Sequence, residues 1–405
     1  MSPAQSAFHL ILDSMGGARC CSRCRPEATT AGPSRRRVAA VRPRQSRPPR
    51  QLAIAVASPR LMPRSSAQAL NADIEACYEA GWTDGLPVIP PTPELVEEML
   101  GDMSADFDEP IVWLAPGFGA ATLRKIASNA VMAGCLPSYF PVVLAAIRAV
   151  ADPVFDLENC VTTVHSECPM VLVNGPIAAE LEMNGGAGAL GSGNRANATI
   201  GRAVSLCIRN IGQGLPGGLD ATTIGHPGKY SYCFTETNES PWPQFHIDRG
   251  YPADASTVTV YAADAPLCIC DFSRTEPEQV LLTVAESVTI PGSYNAFFRQ
   301  DLWLVMSPEH AQIIAAAGWS KDDVRRFMHE HVHMSAGRLR ERGLYGFADQ
   351  VVQPDWFETA GPTDLISFVD APERVNIAVA GGSYGGYTAA ILGSGLSVTY
   401  ELEAE

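Results

Sequence analysis

Short apolar runs place the first constraint on this chain. Met170 to Val173, Thr257 to Tyr261, Leu302 to Met306 and Asn376 to Ala380 are four or five residues long and apolar or β-branched in most positions. That length and composition read as buried strands, too short for core helices. Asn376 to Ala380 is stopped by Gly381, and Leu302 to Met306 leads into Ser307-Pro308. Helical patterns lie between the runs. Ala69 to Ala80 ends at Gly81, and Ala121 to Ala133 runs towards Gly134. Tyr139 to Val150 makes another apolar helix, Pro277 to Val288 reads as a helix, and Ala311 to Ala317 is a shorter one. Thr92 is an N-cap with Pro93 at the first helical position, and Ser320 with Asp323 makes a near capping box. Ala198 to Ile211 carries Ile200, Ala203, Val204, Cys207, Ile208 and Ile211 on one stripe, with Gly212 to end it. Alternating strands and helices predict an α/β fold with a mixed sheet. Ala121–Ser128 echoes Ala198–Ser205, which leaves two related lobes as one form of that fold. The expected divisions are a leader over 1–68, a site-bearing region over 69–250 and a C-terminal region over 251–405 packed on it.

Charge divides the 405 residues unevenly. Twelve of the 29 basic residues, all arginine, precede Gln68, together with only two of the 44 acids. The remainder holds 17 basic against 42 acidic side chains, a balance that repels nucleic acid and anionic membrane. No run of about 18 apolar residues exists to span a bilayer. The Arg-rich, acid-poor leader has the composition of a plastid or mitochondrial transit peptide. Its other reading is a disordered tail or sequence upstream of the true start, which places the protein in the cytoplasm. The eight cysteines beyond the leader are scattered, as expected of free thiols in a reducing compartment.

Three motifs invite a reaction and fail on context. Gly186-Ala-Gly-Ala-Leu-Gly191 matches the dinucleotide fingerprint, but the segment before it, Ala178 to Met183, is helical in character and no acid follows on a second strand. An anion cradle with Arg195 and Arg202 is the other reading of that loop. Gly381-Gly-Ser383-Tyr-Gly385 resembles a nucleophile elbow, but the last histidine, His333, precedes the serine. His329-Glu-His-Val-His333 satisfies HExxH and would make His329 and His333 metal ligands one helical turn apart, although a third ligand is missing. Cys268-Ile-Cys270 reads as a strand with its thiols on opposite sides, which argues against a shared metal or disulfide there.

The chemically able residues concentrate between Asn184 and Trp242. Only three of the 29 basic residues are lysines, and Lys229 sits in the rigid turn Gly225-His226-Pro-Gly-Lys229. Lysine suits a compact charge or a group that must lose a proton. Lys229 and Glu236 are therefore the expected acid–base pair, with His226 as a proton carrier and Cys233 or Cys135 as a thiol. Arg195, Asn197 and Arg202 are the expected anion-binding wall, joined by Asn238 and Glu239.

At these residues the chain resembles an uncharacterised family found with, or fused to, UGSC-motif (seleno)proteins. The likeness rests on Thr83-Asp-Gly-Leu-Pro-Val-Ile-Pro-Pro-Thr92, Asn129-Ala-Val-Met-Ala-Gly-Cys135, Arg195-Ala-Asn-Ala-Thr-Ile-Gly-Arg-Ala203, Gly225 to Trp242, and Pro308-Glu-His-Ala311 with Gly318-Trp-Ser-Lys321. It spans roughly residues 70 to 395. The resemblance implies an ordinary amphipathic helix without paired histidines at Phe327 to Met334, which weakens the zinc reading. The Cys/Sec-Gly-Ser-Cys motif that accompanies the family is absent, so a redox role would need a thiol or selenol partner protein. The combined expectation is an enzyme acting on a small anionic or carbonyl-bearing molecule by Lys/Glu acid–base chemistry with a thiol at hand, of lyase or reductive type. A zinc hydrolase and a non-catalytic redox subunit are the alternatives. The residues name no cofactor, and a homo-oligomer stays open.

Overall fold

Twelve strands appear in the computed structural model, which describes residues 64–103, 105–341 and 354–402. In chain order they are β1 (Pro110–Leu114), β2 (Gly119–Thr122), β3 (Cys168–Asn174), β4 (Cys233–Thr235), β5 (Thr257–Ala263), β6 (Leu267–Cys270), β7 (Leu302–Met306), β8 (His333–Ser335), β9 (Leu365–Ser367), β10 (Val375–Val379), β11 (Tyr387–Ile391) and β12 (Gly393–Glu401). Eight of them make two four-stranded mixed sheets, ordered β12-β5-β3-β4 and β10-β7-β11-β6. The α/β class with mixed sheets is what the alternation predicted. The leader lies outside the described residues except for its last five, which open the helix Arg64–Glu79.

Strand periodicity shows how the sheets stack. Met170, Leu172, Phe234 and Tyr261 of the first sheet share one core with Trp303, Val305, Ala378 and Ile391 of the second. Their neighbours point the other way, as alternate strand residues must. Val171, Val173, Val258 and Val260 meet the helices Leu123–Ala133, Phe140–Ala151 and Arg195–Asn210. Leu302, Leu304, Ile377 and Val379 meet Pro277–Val288, Pro308–Ala316 and Lys321–His331. The layers therefore run helix, sheet, sheet, helix, with three cores instead of one.

The chain repeats itself in this arrangement. In the trio β3, β4, β5 the first strand lies between the other two, parallel to β4 and antiparallel to β5. In the trio β7, β10, β11 the first strand is again central, parallel to β10 and antiparallel to β11. Each trio then sends its next strand to the other sheet. β6 follows β5 but pairs with β11, and β12 follows β11 but pairs with β5. The two related lobes are thus interlocked. The helix echo does not mark them, because Leu123–Ala133 and Arg195–Asn210 pack side by side over the first sheet. Strands from both sides of 250/251 share one sheet, because β5 and β12 complete the sheet that β3 and β4 begin.

The passage from β11 into β12 needs a residue without a side chain. A Cβ at Gly393 would stand 2.0 Å from the carbonyl oxygen of Ala262 on the strand it joins. Gly393→Ala is therefore expected to destabilise the protein by about 1–3 kcal/mol or more in urea unfolding. Gly292→Ala, at a position with open space around it, should cost well under that. Equal effects of the two substitutions contradict the crossing.

Candidate functional site

The glycine loop that drew attention in the sequence is tied down by protein groups. Asn197, buried in the first turn of Arg195–Asn210, donates from Nδ2 to the carbonyls of Asn184 (2.9 Å) and Ala189 (3.2 Å), and its Oδ1 accepts from Asn184 N–H at 3.0 Å. Gly381 N–H donates to Gly185 O across the sheets. Of the two arginines expected to hold an anion, Arg202 is paired with a carboxylate and Arg195 makes a single backbone contact. Arg202 makes a bidentate pair with Asp84, both contacts 2.8 Å, and donates to Pro87 O, so it clamps the Thr83–Pro87 segment. Arg195 Nε donates to Gly134 O at 3.0 Å. Arg202 and Asn197 thus serve a structural knot at the loop.

Glu236 is also removed from the expected chemistry. Its carboxylate is buried one residue beyond β4, where the two sheets meet. Oε2 accepts from Phe245 N–H (2.5 Å) and Asn174 Nδ2 (2.9 Å), and Oε1 accepts from Val379 N–H at the end of β10 (2.9 Å). Burial raises its pKa, against the opposing influence of Lys321 and these donors. Glu236 therefore joins the sheets and does not face Lys229. Asn238 and Glu239 are exposed beyond it, with Glu239 Oε1 accepting from Ser383 Oγ at 3.0 Å.

Lys229 and His226 are brought together, in different company. A cleft of about 400 Å³ is lined by Lys229, His226, Asp220, Glu167, Cys168 and Arg209, among others. Lys229 Nζ donates to both Asp220 oxygens (3.0 and 2.8 Å) and to Thr222 Oγ1 (2.6 Å). Those three acceptors use all three ammonium N–H groups. The lysine holds the 220–229 loop through Asp220 and Thr222.

His226 Nδ1 accepts from Gly228 N–H at 3.1 Å, which leaves the ring proton on Nε2. Nε2 lies 3.3 Å from Ala263 O and 3.6 Å from Cys168 Sγ. Burial lowers the pKa of His226 and raises that of Cys168. The pair is neutral imidazole beside neutral thiol. Gly228 permits this, because a Cβ there would come within 2.6 Å of the imidazole.

Beside the pair stands a charged histidine. His165 Nδ1 is 3.3 Å from Glu167 Oε2 and Nε2 is 3.1 Å from Asp264 Oδ1, and its ring stacks on Tyr294 at 4.4 Å. Burial alone would lower its pKa, but hydrogen bonds to Asp264 and Glu167 outweigh that and raise it to about 9. Glu167 is buried, and its other oxygen accepts from Ser394 Oγ at 2.8 Å. Two polar atoms here are buried without hydrogen-bond partners, Arg209 Nε and Tyr232 Oη. His165, Glu167, Cys168, Asp220, Asp264 and Arg209 were not singled out from the sequence. The signal was present in His165-Ser-Glu-Cys168 at the entrance to β3 and Asp264 just past β5, facing one another across an antiparallel pair.

The expected thiols lie elsewhere. Cys135 and Cys233 are both buried in the helix-side core, where Cys135 Sγ donates to Thr199 O at 3.3 Å. Burial pushes the Cys135 thiol up to about 12 and raises that of Cys233 as well, so the expected activation of Cys233 by Lys229 is absent. The helix under HExxH ends at His331, and His333 begins β8. His329 and His333 therefore do not share a helical face, and among the described residues no group of three His, Cys, Asp or Glu side chains is arranged to hold a metal. One reading from the sequence was wrong in principle. Residues i and i+2 of a strand share a face, and Cys268 and Cys270 are both exposed while Ile269 between them is buried.

Compared with known protein families, curated proteins and solved structures, the chain has no match in any of the three.

Two measurements check these assignments. Glu236→Ala leaves three buried donors unpaired, so it is expected to cost about 3 kcal/mol or more of stability in denaturant unfolding. A variant as stable as the parent contradicts the carboxylate's role as the joint between sheets. His165 has a folded pKa above its ordinary 6.5, so its stabilising contribution is complete below that value and lost as pH rises through about 9. Thermal stability should fall across pH 7 to 10 by a component that His165→Gln lacks. Identical pH profiles for parent and variant contradict the ion-paired imidazolium.

Proposed function

We propose that the chain is an enzyme that binds a small anionic, carbonyl-bearing molecule in the cleft and moves a proton on it. The observation that carries this reading is Arg209, whose buried Nε lacks a partner on the wall of a cleft that also holds the neutral His226–Cys168 pair. A buried guanidinium N–H is costly to leave unmade, and a carboxylate or phosphate is the group that suits it. Ser205 and Tyr230, on the same lining, add hydroxyl groups.

The acid–base roles pass from Lys229 and Glu236 to the histidines. His226 carries its proton on Nε2, directed at Ala263 O, and a substrate carbonyl oxygen that accepts it displaces that contact. His165, held between Glu167 and Asp264, fixes the position of Glu167 on the cleft wall. Lys229 and Asp220 hold the loop that carries His226. Such a set suits proton transfer or elimination next to an anionic group, which keeps a C–S or C–X lyase step within the proposal, with Cys168 as the nearest thiol. A thiol or selenol partner protein and a homo-oligomeric state remain proposals that the cleft does not require.

The test is binding of a panel of small carboxylates and phosphate to the full chain, read by calorimetry. At least one anion should bind. Arg209→Ala should weaken it by roughly 10–150-fold, the worth of a hydrogen bond to a charged group. His226→Gln should leave affinity within a few-fold of the parent while removing turnover. If no anion binds, or if Arg209→Ala binds as tightly as the parent, the reading is wrong.

A further inference from the structure

Among the described cysteines, six are buried, and only Cys268 and Cys270 are exposed. Both lie on β6, the edge strand of the second sheet, which pairs only with β11. Their partners are Ala389 and Tyr387, and Ile269 between them turns inward against the helices. The two thiols therefore leave the same face of one strand. Cys268 also lines a cleft of about 190 Å³, separate from the anion cleft, with Ala189, Leu190, Val305, Tyr384 and Tyr387.

The strand fixes the distance between them. Residues i and i+2 of a strand are about 6.6–6.8 Å apart, and side chains on one face rise nearly parallel. A disulfide needs its Cβ atoms about 3.5–4.5 Å apart, so the pair cannot close on itself without breaking the strand. An ion bound by two thiolates at about 2.3 Å each spans about 4.6 Å between sulfurs, which the two side chains reach by leaning together. No third His, Cys, Asp or Glu is arranged with them among the described residues. Zinc needs four ligands and is served poorly by two. A soft monovalent d¹⁰ ion takes two thiolates in a line.

We propose that Cys268 and Cys270 form a two-coordinate site for Cu(I). Thiolate softness selects that ion. Each thiol loses its proton to solvent as the Cu–S bond forms, so binding of one ion releases up to two protons and no electron is transferred. The cleft beside Cys268 gives one side of the site an apolar wall of Leu190, Val305 and Tyr387 that limits access of water to the bound ion.

The experiment uses the full chain with Cys20, Cys21 and Cys24 changed to serine, so that leader thiols do not compete. The reduced protein is titrated anaerobically with Cu(I) against a chromophoric Cu(I) chelator. The expected result is one tightly held Cu(I) per chain, with Cys268 and Cys270 both shielded from iodoacetamide while it is bound. Cys268→Ser and Cys270→Ser should each weaken binding by more than the roughly 10–100-fold that loss of an outer-shell contact costs. Cys168→Ser should bind as the parent does. Unchanged stoichiometry and affinity in the Cys268→Ser/Cys270→Ser double variant overturn the proposal, as does a parent that cannot compete with the chelator.

Discussion

The layer of side chains trapped between the two sheets depends on how its ends are closed. Trp303, Phe234, Tyr261 and Phe245 fill that layer, and strands that stop above it leave polar backbone groups pointing into an apolar space. At one end the closure is a single carboxylate. Glu236 takes up N–H groups from Phe245 and Val379 and the amide of Asn174, so one side chain satisfies donors from both halves of the chain. At the other end, where β3 begins and β5 stops, closure is shared among His226, Cys168, His165, Glu167 and Asp264. Both ends keep buried polar atoms without partners, Asn174 Oδ1, Thr235 Oγ1 and Thr257 Oγ1 at the first and Arg209 Nε and Tyr232 Oη at the second, and the second opens on the cleft. The two ends differ in that only the second borders the cleft of about 400 Å³.

Strand exchange explains why the site is held firmly enough to matter. Ser394, which holds Glu167, is carried on β12, and β12 reaches the first sheet only because the second trio sends it there. The charged histidine thus rests on a strand from the far end of the chain. Tyr294, stacked on His165, belongs to the helix Tyr294–Phe298 just ahead of β7. Neither half of the chain could assemble this cluster alone.

Much of the fold was legible because burial and periodicity are local properties. Leu302–Met306 was read with its observed limits, and Met170–Val173, Thr257–Tyr261 and Asn376–Ala380 fell within one or two residues of them. Thr92 and Ser320 cap helices as their side chains suggested. The exchange of β6 and β12 was not legible, because strand pairing is a non-local choice that neither strand's composition records. The site was only half legible for a related reason. Lys229 and His226 stood out by chemistry and by a rigid turn, yet Asp220, which saturates the lysine, looked like any loop acid. Arg195, Arg202 and Glu236 stood out equally, and their partners (Gly134 O, Asp84 and three buried donors) were fixed only by tertiary contact. The thiols of Cys268 and Cys270 were misjudged by a simple error of period.

The proposed function rests on Arg209 binding an anion in the cleft that His226 also lines. A crystal structure of the full chain grown with a small carboxylate tests it most directly. The account predicts the carboxylate seated in the 220–229 cleft, accepting from Arg209 Nε, with its far end within hydrogen-bond reach of His226 Nε2. A carboxylate bound elsewhere, or a cleft in which Arg209 Nε instead donates to a protein oxygen, would contradict it.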